Sequence, residues 1–112
     1  MNGADVPTVD IEQTAAHDGA FLLDVREVGE WIHGHIPGTV NIPLGELADR
    51  LDDVARDREV IVICRSGNRS ALATQLLRSI GIEAFNMRGG TTAWGQAGKT
   101  LLNSGGEAGV VV

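Results

Sequence analysis

Short apolar runs alternate along the chain with segments of helical period, and Gly, Pro, Asn or Asp marks most of the changes. That pattern predicts strands and helices in turn, hence an α/β domain. Residues 20–25 and 60–64 are almost continuously apolar and rich in branched side chains, as expected of parallel strands covered on both faces. These two are expected to be central neighbours. Residues 39–42 and 82–85 are shorter and more polar and read as further strands nearer the edges, and residues 7–9 can add one more. The expected architecture is a central, mainly parallel five-stranded sheet with helices on both faces.

The helices follow from spacing. Leu44, Leu47, Leu51 and Val54 recur at i, i+3, i+7 and i+10, and Leu72, Ala73, Leu76, Leu77 and Ile80 form a second stripe; each predicts a helix covering a sheet face. Asp10 is placed to cap a helix over 11–17 that Gly19 closes, and Gly81 to close the helix after Cys64. A further helix is expected over 91–97, and Trp31 and Trp94 are expected at helix–sheet interfaces. Residues 1–102 form the expected single domain. The glycine-rich segment 103–112 has no sustained period and is expected to fray as a flexible tail.

Composition narrows the chemistry. At 112 residues and 43% hydrophobic, the chain has material for one core. Its single cysteine cannot form an internal disulfide, and the spacing of Cys64, His17, His33 and His35 matches no zinc ligand set; His33 and His35 are expected to bond backbone in a turn. Neither metal nor cofactor is expected. Net charge is −6, unevenly distributed: residues 1–63 carry 13 acids and 4 bases, whereas 64–112 carry 5 bases and 2 acids. An anion is therefore expected to bind in the second half. An acidic chain with no Tyr and two each of Trp and Phe lacks the basic footprint and stacking platforms of nucleic-acid binders. Met1–Asp5 has no basic leader and no apolar run reaches bilayer length, so no membrane partner is expected and the default compartment is the cytoplasm.

The chemistry concentrates in residues 60–72, an apolar run, then Cys64-Arg65-Ser66-Gly67-Asn68-Arg69-Ser70, then a helical stripe. The cysteine stands at a strand's carboxyl end, the edge of a parallel sheet where ligands bind. Amides of a tight loop and of the helix start make a concave anion nest, and Gly67 permits the bend. The helix dipole, Arg65 and Arg69 all favour thiolate over thiol, so the Cys64 pKa is expected below the free value of about 8.5. A lone cysteine is more often a small core residue; two arginines and a glycine in a strand-to-helix loop favour a nucleophile.

Four separated stretches resemble the single-domain rhodanese family of sulfurtransferases. They are Leu23-Asp24-Val25-Arg26-Glu27; Glu30-Trp31 with Gly34-His35-Ile36-Pro37-Gly38 and Asn41-Ile42-Pro43; the loop Cys64 to Ser70; and Arg88-Gly89-Gly90 with Trp94. The resemblance covers roughly residues 7–98 and implies a three-layer rhodanese-like fold. It also implies that Cys64 takes a sulfane sulfur from thiosulfate or a similar donor, holds it as a persulfide, and passes it to cyanide, a thiol or a protein acceptor. Arg65, Ser66, Gly67, Asn68, Arg69 and Ser70 would then form the substrate cradle.

Two rivals are weighed. Phosphatases and arsenate reductases of similar fold carry Cys-x5-Arg, whereas Arg69 follows Cys64 as Cys-x4-Arg; the shorter ring favours sulfur, and no acid lies close after the loop to protonate a leaving group. Non-enzymatic rhodanese-like modules usually lack the cysteine, which is kept here. Asp24 and Arg26, just past a buried strand, are expected to support the loop from behind. Arg88, at another strand's carboxyl end, is equally compatible with facing the pocket or with solvation.

Overall fold

The computed structural model describes residues 6–112; Met1–Asp5, read above for the lack of a leader, lies outside the described residues. In chain order the elements are β1 (Thr8–Val9), α1 (Ile11–Ala16), β2 (Phe21–Asp24), α2 (Val28–His33), β3 (Val40–Asn41), α3 (Leu44–Leu47), β4 (Val60–Ile63), α4 (Asn68–Ser79), β5 (Ala84–Met87) and α5 (Gly90–Gln96). The five strands form one sheet in the order β1-β5-β4-β2-β3. Every pairing is parallel, with Leu23 opposite Val62 and Asp24 opposite Ile63 at the centre. The sequence expectation of a mainly parallel sheet with β2 and β4 adjacent is met.

Burial on both faces explains why β4 reads as an unbroken apolar run. Val60, Val62 and Cys64 belong to one core with Leu47, Ala73 and Leu77, whereas Ile61 and Ile63 belong to the other with Ile36, Met87 and Trp94. Side chains alternating along one strand thus feed two helix layers. All four β4 residues are at most 1% exposed.

Local chemistry sets the helix ends. The Asp10 carboxylate accepts the Gln13 N–H at 2.7 Å while the Gln13 side chain accepts the Asp10 N–H at 2.8 Å, a reciprocal cap at the start of α1. Gly81, at φ 88°, turns the chain out of α4 as expected. Gly19 does not close α1, which ends at Ala16.

Further expectations are corrected. The Leu44–Val54 stripe is not one helix: α3 is a single turn, and after Arg50 (φ −127°, ψ 29°) a 3₁₀ turn spans Leu51–Asp53. Asp49, Asp52 and Asp53 favour turns over helix interiors, and two separate turns still aim the leucines and Val54 at one core. Trp31 is not a core residue; its ring stacks on His35 at 3.6 Å and its N–H donates to Thr39 Oγ1. Trp94 does pack in the core.

The segment expected to fray is folded back along the domain. Leu102 bridges both His35 and Ala108, and the Val110 N–H donates to the His33 carbonyl at 2.9 Å. The approach requires glycine at two places, since a Cβ on Gly34 would run into the Val110 backbone and one on Gly109 would come within 2.7 Å of Gly34 Cα. Sequence period gives no sign of this docking because it uses isolated backbone bonds rather than a regular strand.

At the end of β2 lies a fully buried ion pair. The Arg26 guanidinium donates to both Asp24 oxygens, from Nε to Oδ1 at 3.0 Å and from Nη2 to Oδ2 at 2.8 Å, and to the Gly34 carbonyl at 2.7 Å. Asn41 Nδ2 donates to the Asp24 and Arg26 carbonyls, tying the end of β2 to β3 and to the chain leaving α2. Removing one partner strands the other charge in the interior. Asp24→Ala is therefore expected to lower the unfolding free energy by about 3–5 kcal/mol, measured by urea unfolding; a loss below about 1 kcal/mol would mark the pair as no stronger than a surface one.

Candidate functional site

Cys64 follows β4 directly, and the chain needs only Arg65, Ser66 and Gly67 to reach the first residue of α4. Gly67 makes that turn possible with φ 109°, a left-handed value that side chains resist. The loop closes on its own sulfur. The Gly67 N–H donates to Cys64 Sγ at 3.0 Å, and the Ser70 hydroxyl lies 3.2 Å from it.

The loop's amides turn inward because its carbonyls are drawn outward. The Thr91 and Thr92 N–H groups, in the first turn of α5, donate to the carbonyls of Cys64 and Arg65 at 2.9 and 3.0 Å. Gly90 lets these backbones touch, for a Cβ there would strike the same two carbonyls. This gives a physical reason for the Gly89-Gly90 pair seen in the sequence: it seats α5 against the loop and leaves the sulfur side lined with donors.

Cys64 is 1% exposed and shares a core cluster with Val60 and Val62. Burial is the largest single influence on the thiol and pushes its pKa up. The Ser70 hydroxyl and the amides of Ser70, Gly67 and Ser66 oppose it, and together they hold the thiol below its ordinary range. The cysteine is thus buried at its Cβ and polar at its sulfur, and the expected depression of its pKa comes from amides and a hydroxyl more than from arginine.

The arginines depart from expectation. The Arg69 guanidinium forms a two-pronged pair with Glu30 of α2, at 2.6 and 2.9 Å. That hydrogen bond raises the Arg69 pKa against the lowering effect of burial, and it lowers that of Glu30. The exposed Arg65 side chain reaches away to donate to the Val112 main-chain oxygen at 3.1 Å. Ser66 and Asn68 are exposed on the loop, and Ser70 is buried beneath it. Arg88 is exposed, forms no ion pair among the described residues, and borders a concavity of about 330 Å³ with Ser66, Gly67, Asn68, Ala71, Asn86 and Gly89. A roomier concavity of about 590 Å³ between α1 and α5 touches no loop residue.

Two participants were missed in the sequence. Glu30 stands 39 residues from Arg69, and although Glu30-Trp31 belonged to a recognised stretch, nothing in its spacing paired it with the loop. Asn86 of β5 accepts from Ser70 Oγ and donates from Nδ2 to the Gly67 carbonyl at 3.2 Å; a polar residue inside an otherwise apolar strand was the available signal. His33 and His35 each bond a backbone carbonyl, of Gly29 and Trp31, as expected.

The profile of the family described as "Rhodanese-like domain" matches residues 9–97, and with it the whole sheet except Thr8. The chain belongs to the rhodanese-like domain family. It is 32% identical over 92 residues to a sulfurtransferase of Allochromatium vinosum, covering 81% of this chain and 86% of that one. The crystal structure of a rhodanese-related protein from Thermoplasma volcanium matches with a TM-score of 0.77 at 33% identity, over 86% of this chain and 97% of the other. A thiosulfate sulfurtransferase from Pseudomonas aeruginosa matches at TM-score 0.79 and 31% identity, over 97% of this chain but 22% of that one. This chain matches three Bacillus subtilis relatives at 34–41% identity and covers 55%, 68% and 81% of their length.

Removal of the Arg69 charge has a defined sign. Arg69→Ala takes away a cation that favours the thiolate and frees the Glu30 carboxylate, so the pH midpoint of Cys64 alkylation is expected to rise by less than about one unit. Glu30→Gln is expected to move it down. A midpoint unchanged in both would show that the pair is electrically remote from the sulfur.

Proposed function

We propose that this rhodanese-like domain is a thiosulfate-type sulfurtransferase that carries sulfane sulfur on Cys64. The observation that supports the reading best is the sulfur's surroundings: the Gly67 N–H donates to it, the Ser70 hydroxyl lies against it, and the amides of Ser66 and Ser70 add to the groups that favour its charge. Those groups favour the thiolate over the thiol and then stabilise the anionic outer sulfur of a persulfide.

The chemistry balances in two displacements. The Cys64 thiolate attacks the outer sulfur of thiosulfate, the donor's S–S bond breaks, and sulfite leaves with the bonding pair. An acceptor nucleophile, cyanide or a thiol, then attacks the outer sulfur of the persulfide and the Cys64 thiolate departs with its electrons. The sulfur atom moves and no net oxidant is needed. With Cys64 only 1% exposed, the donor must enter end-on, which suits a slender sulfane sulfur better than a phosphoryl group flanked by oxygens.

Donor recognition falls differently from the sequence expectation. Arg69 is occupied by Glu30 and Arg65 by the Val112 main-chain oxygen, leaving Arg88 as the rim guanidinium with no side-chain partner among the described residues. Arg88 is our choice for the group that meets the donor's oxyanion end. The cradle suits a small or a macromolecular acceptor, and relatives named as sulfurtransferases accord with either.

Thiosulfate treatment followed by intact-mass measurement is expected to add one sulfur atom to the wild-type chain and none to Cys64→Ser; an unmodified wild-type mass would overturn the proposal. Arg88→Ala is expected to raise the thiosulfate KM by roughly tenfold, the loss of one charged hydrogen bond, with little change in kcat. An unchanged KM would remove Arg88 from donor recognition.

A further inference from the structure

The hydrogen bonds beneath the loop close into a ring. Gly67 N–H donates to Cys64 Sγ, Cys64 Sγ meets Ser70 Oγ, Ser70 Oγ donates to Asn86 Oδ1, and Asn86 Nδ2 donates back to the Gly67 carbonyl. Its side-chain members are almost closed to solvent, with Cys64 at 1%, Ser70 at 0% and Asn86 at 7% exposure.

A serine hydroxyl has one proton and an amide oxygen has none to give. The Gly67 carbonyl can only accept, so it takes the Asn86 Nδ2 end and fixes Oδ1 toward Ser70. Ser70 must then spend its proton on Asn86 and turn a lone pair toward the sulfur. That arrangement is satisfied when Cys64 is a thiol, whose S–H can donate to Ser70. It is not satisfied when Cys64 is a thiolate, which needs the same Ser70 proton. Thiolate and Asn86 therefore compete for a single hydroxyl hydrogen.

We propose that Asn86 is a positioning residue that sets the direction of the Ser70 hydroxyl and thereby restrains ionisation of Cys64 until the hydroxyl swings to the sulfur. The inference deepens the sulfur-transfer reading and rests on it for its biological sense, yet it concerns only the thiol's proton. Once the outer sulfur of a persulfide carries the charge, Sγ is neutral and Ser70 can return to Asn86. The ring thus leaves the bare thiolate less favoured than it would be with the Ser70 proton free, whereas the resting thiol and the loaded persulfide leave the Asn86 bond intact.

Other charges that bear on the sulfur are distinct from this ring. Arg69 reaches from α4 to Glu30 of α2, and the Asp24–Arg26 pair lies at the end of β2. Arg65 and Arg88 are on the surface. None of these is hydrogen-bonded to Ser70 or Asn86 in the ring, so a change at Asn86 leaves them in place.

The test follows alkylation of Cys64 by iodoacetamide against pH, a readout independent of any sulfur donor. Asn86→Leu keeps the volume and removes the competing acceptor, so the midpoint is expected to fall by about one pH unit, the scale of one charge-assisted hydrogen bond. Ser70→Ala is expected to raise it. In the Ser70→Ala background, Asn86→Leu is expected to have no further effect, which a merely structural role would not predict. Asn86→Ala, judged by thermal unfolding for retained fold, repeats the comparison without the leucine. A midpoint that stays or rises in Asn86→Leu, a shift that persists without Ser70, or failure of both Asn86 variants to fold would overturn the inference and leave Asn86 a packing residue. Loss of persulfide formation with these shifts intact would instead contradict the proposed function alone.

Discussion

Outward traction on two carbonyls organises this domain's chemistry. The first amides of α5 pull the Cys64 and Arg65 carbonyls away from the sulfur, and the peptide planes that follow can then turn their N–H groups toward it. The traction needs backbone-to-backbone contact, which Gly90 permits. A residue that never approaches the thiol with a side chain therefore helps decide whether that thiol can ionise.

Burial and ionisation oppose one another at Cys64, and both are strong. Its Cβ end completes a core that includes Val60 and Val62, while its sulfur end is met by donors. The parallel sheet makes this compatible, because strand ends are where apolar layers stop and helix starts supply free amides. The two cationic side chains expected to assist are bound to other partners, Arg69 to Glu30 and Arg65 to Val112. Electrostatic support comes mainly from neutral donors fixed in place, which cost no reorganisation when charge develops.

Much of this was legible in the residues. Unbroken apolar runs located β2 and β4, Asp10 and Gly81 marked helix ends, and the strand–Cys–Gly–helix order located the nest. What was not legible involves partners distant in sequence. Glu30 meets Arg69 across 39 residues, and Asn86 meets Ser70 across 16; local period carries no information about either. The break after α3 escaped notice because a leucine stripe records which side faces the core, not whether the backbone between turns is continuous. Docking of residues 103–112 escaped because two glycines, 34 and 109, and a few single bonds carry it.

The central claim is that hydrogen-bond donors outweigh burial and hold the Cys64 thiol below its ordinary range. Ultraviolet absorbance of the thiolate, followed against pH on the wild-type protein with its single cysteine, reads this directly. The account predicts a transition midpoint below the free-cysteine value of about 8.5. A midpoint at or above that value would mean that burial wins, and that the loop encloses a structural cysteine and no nucleophile.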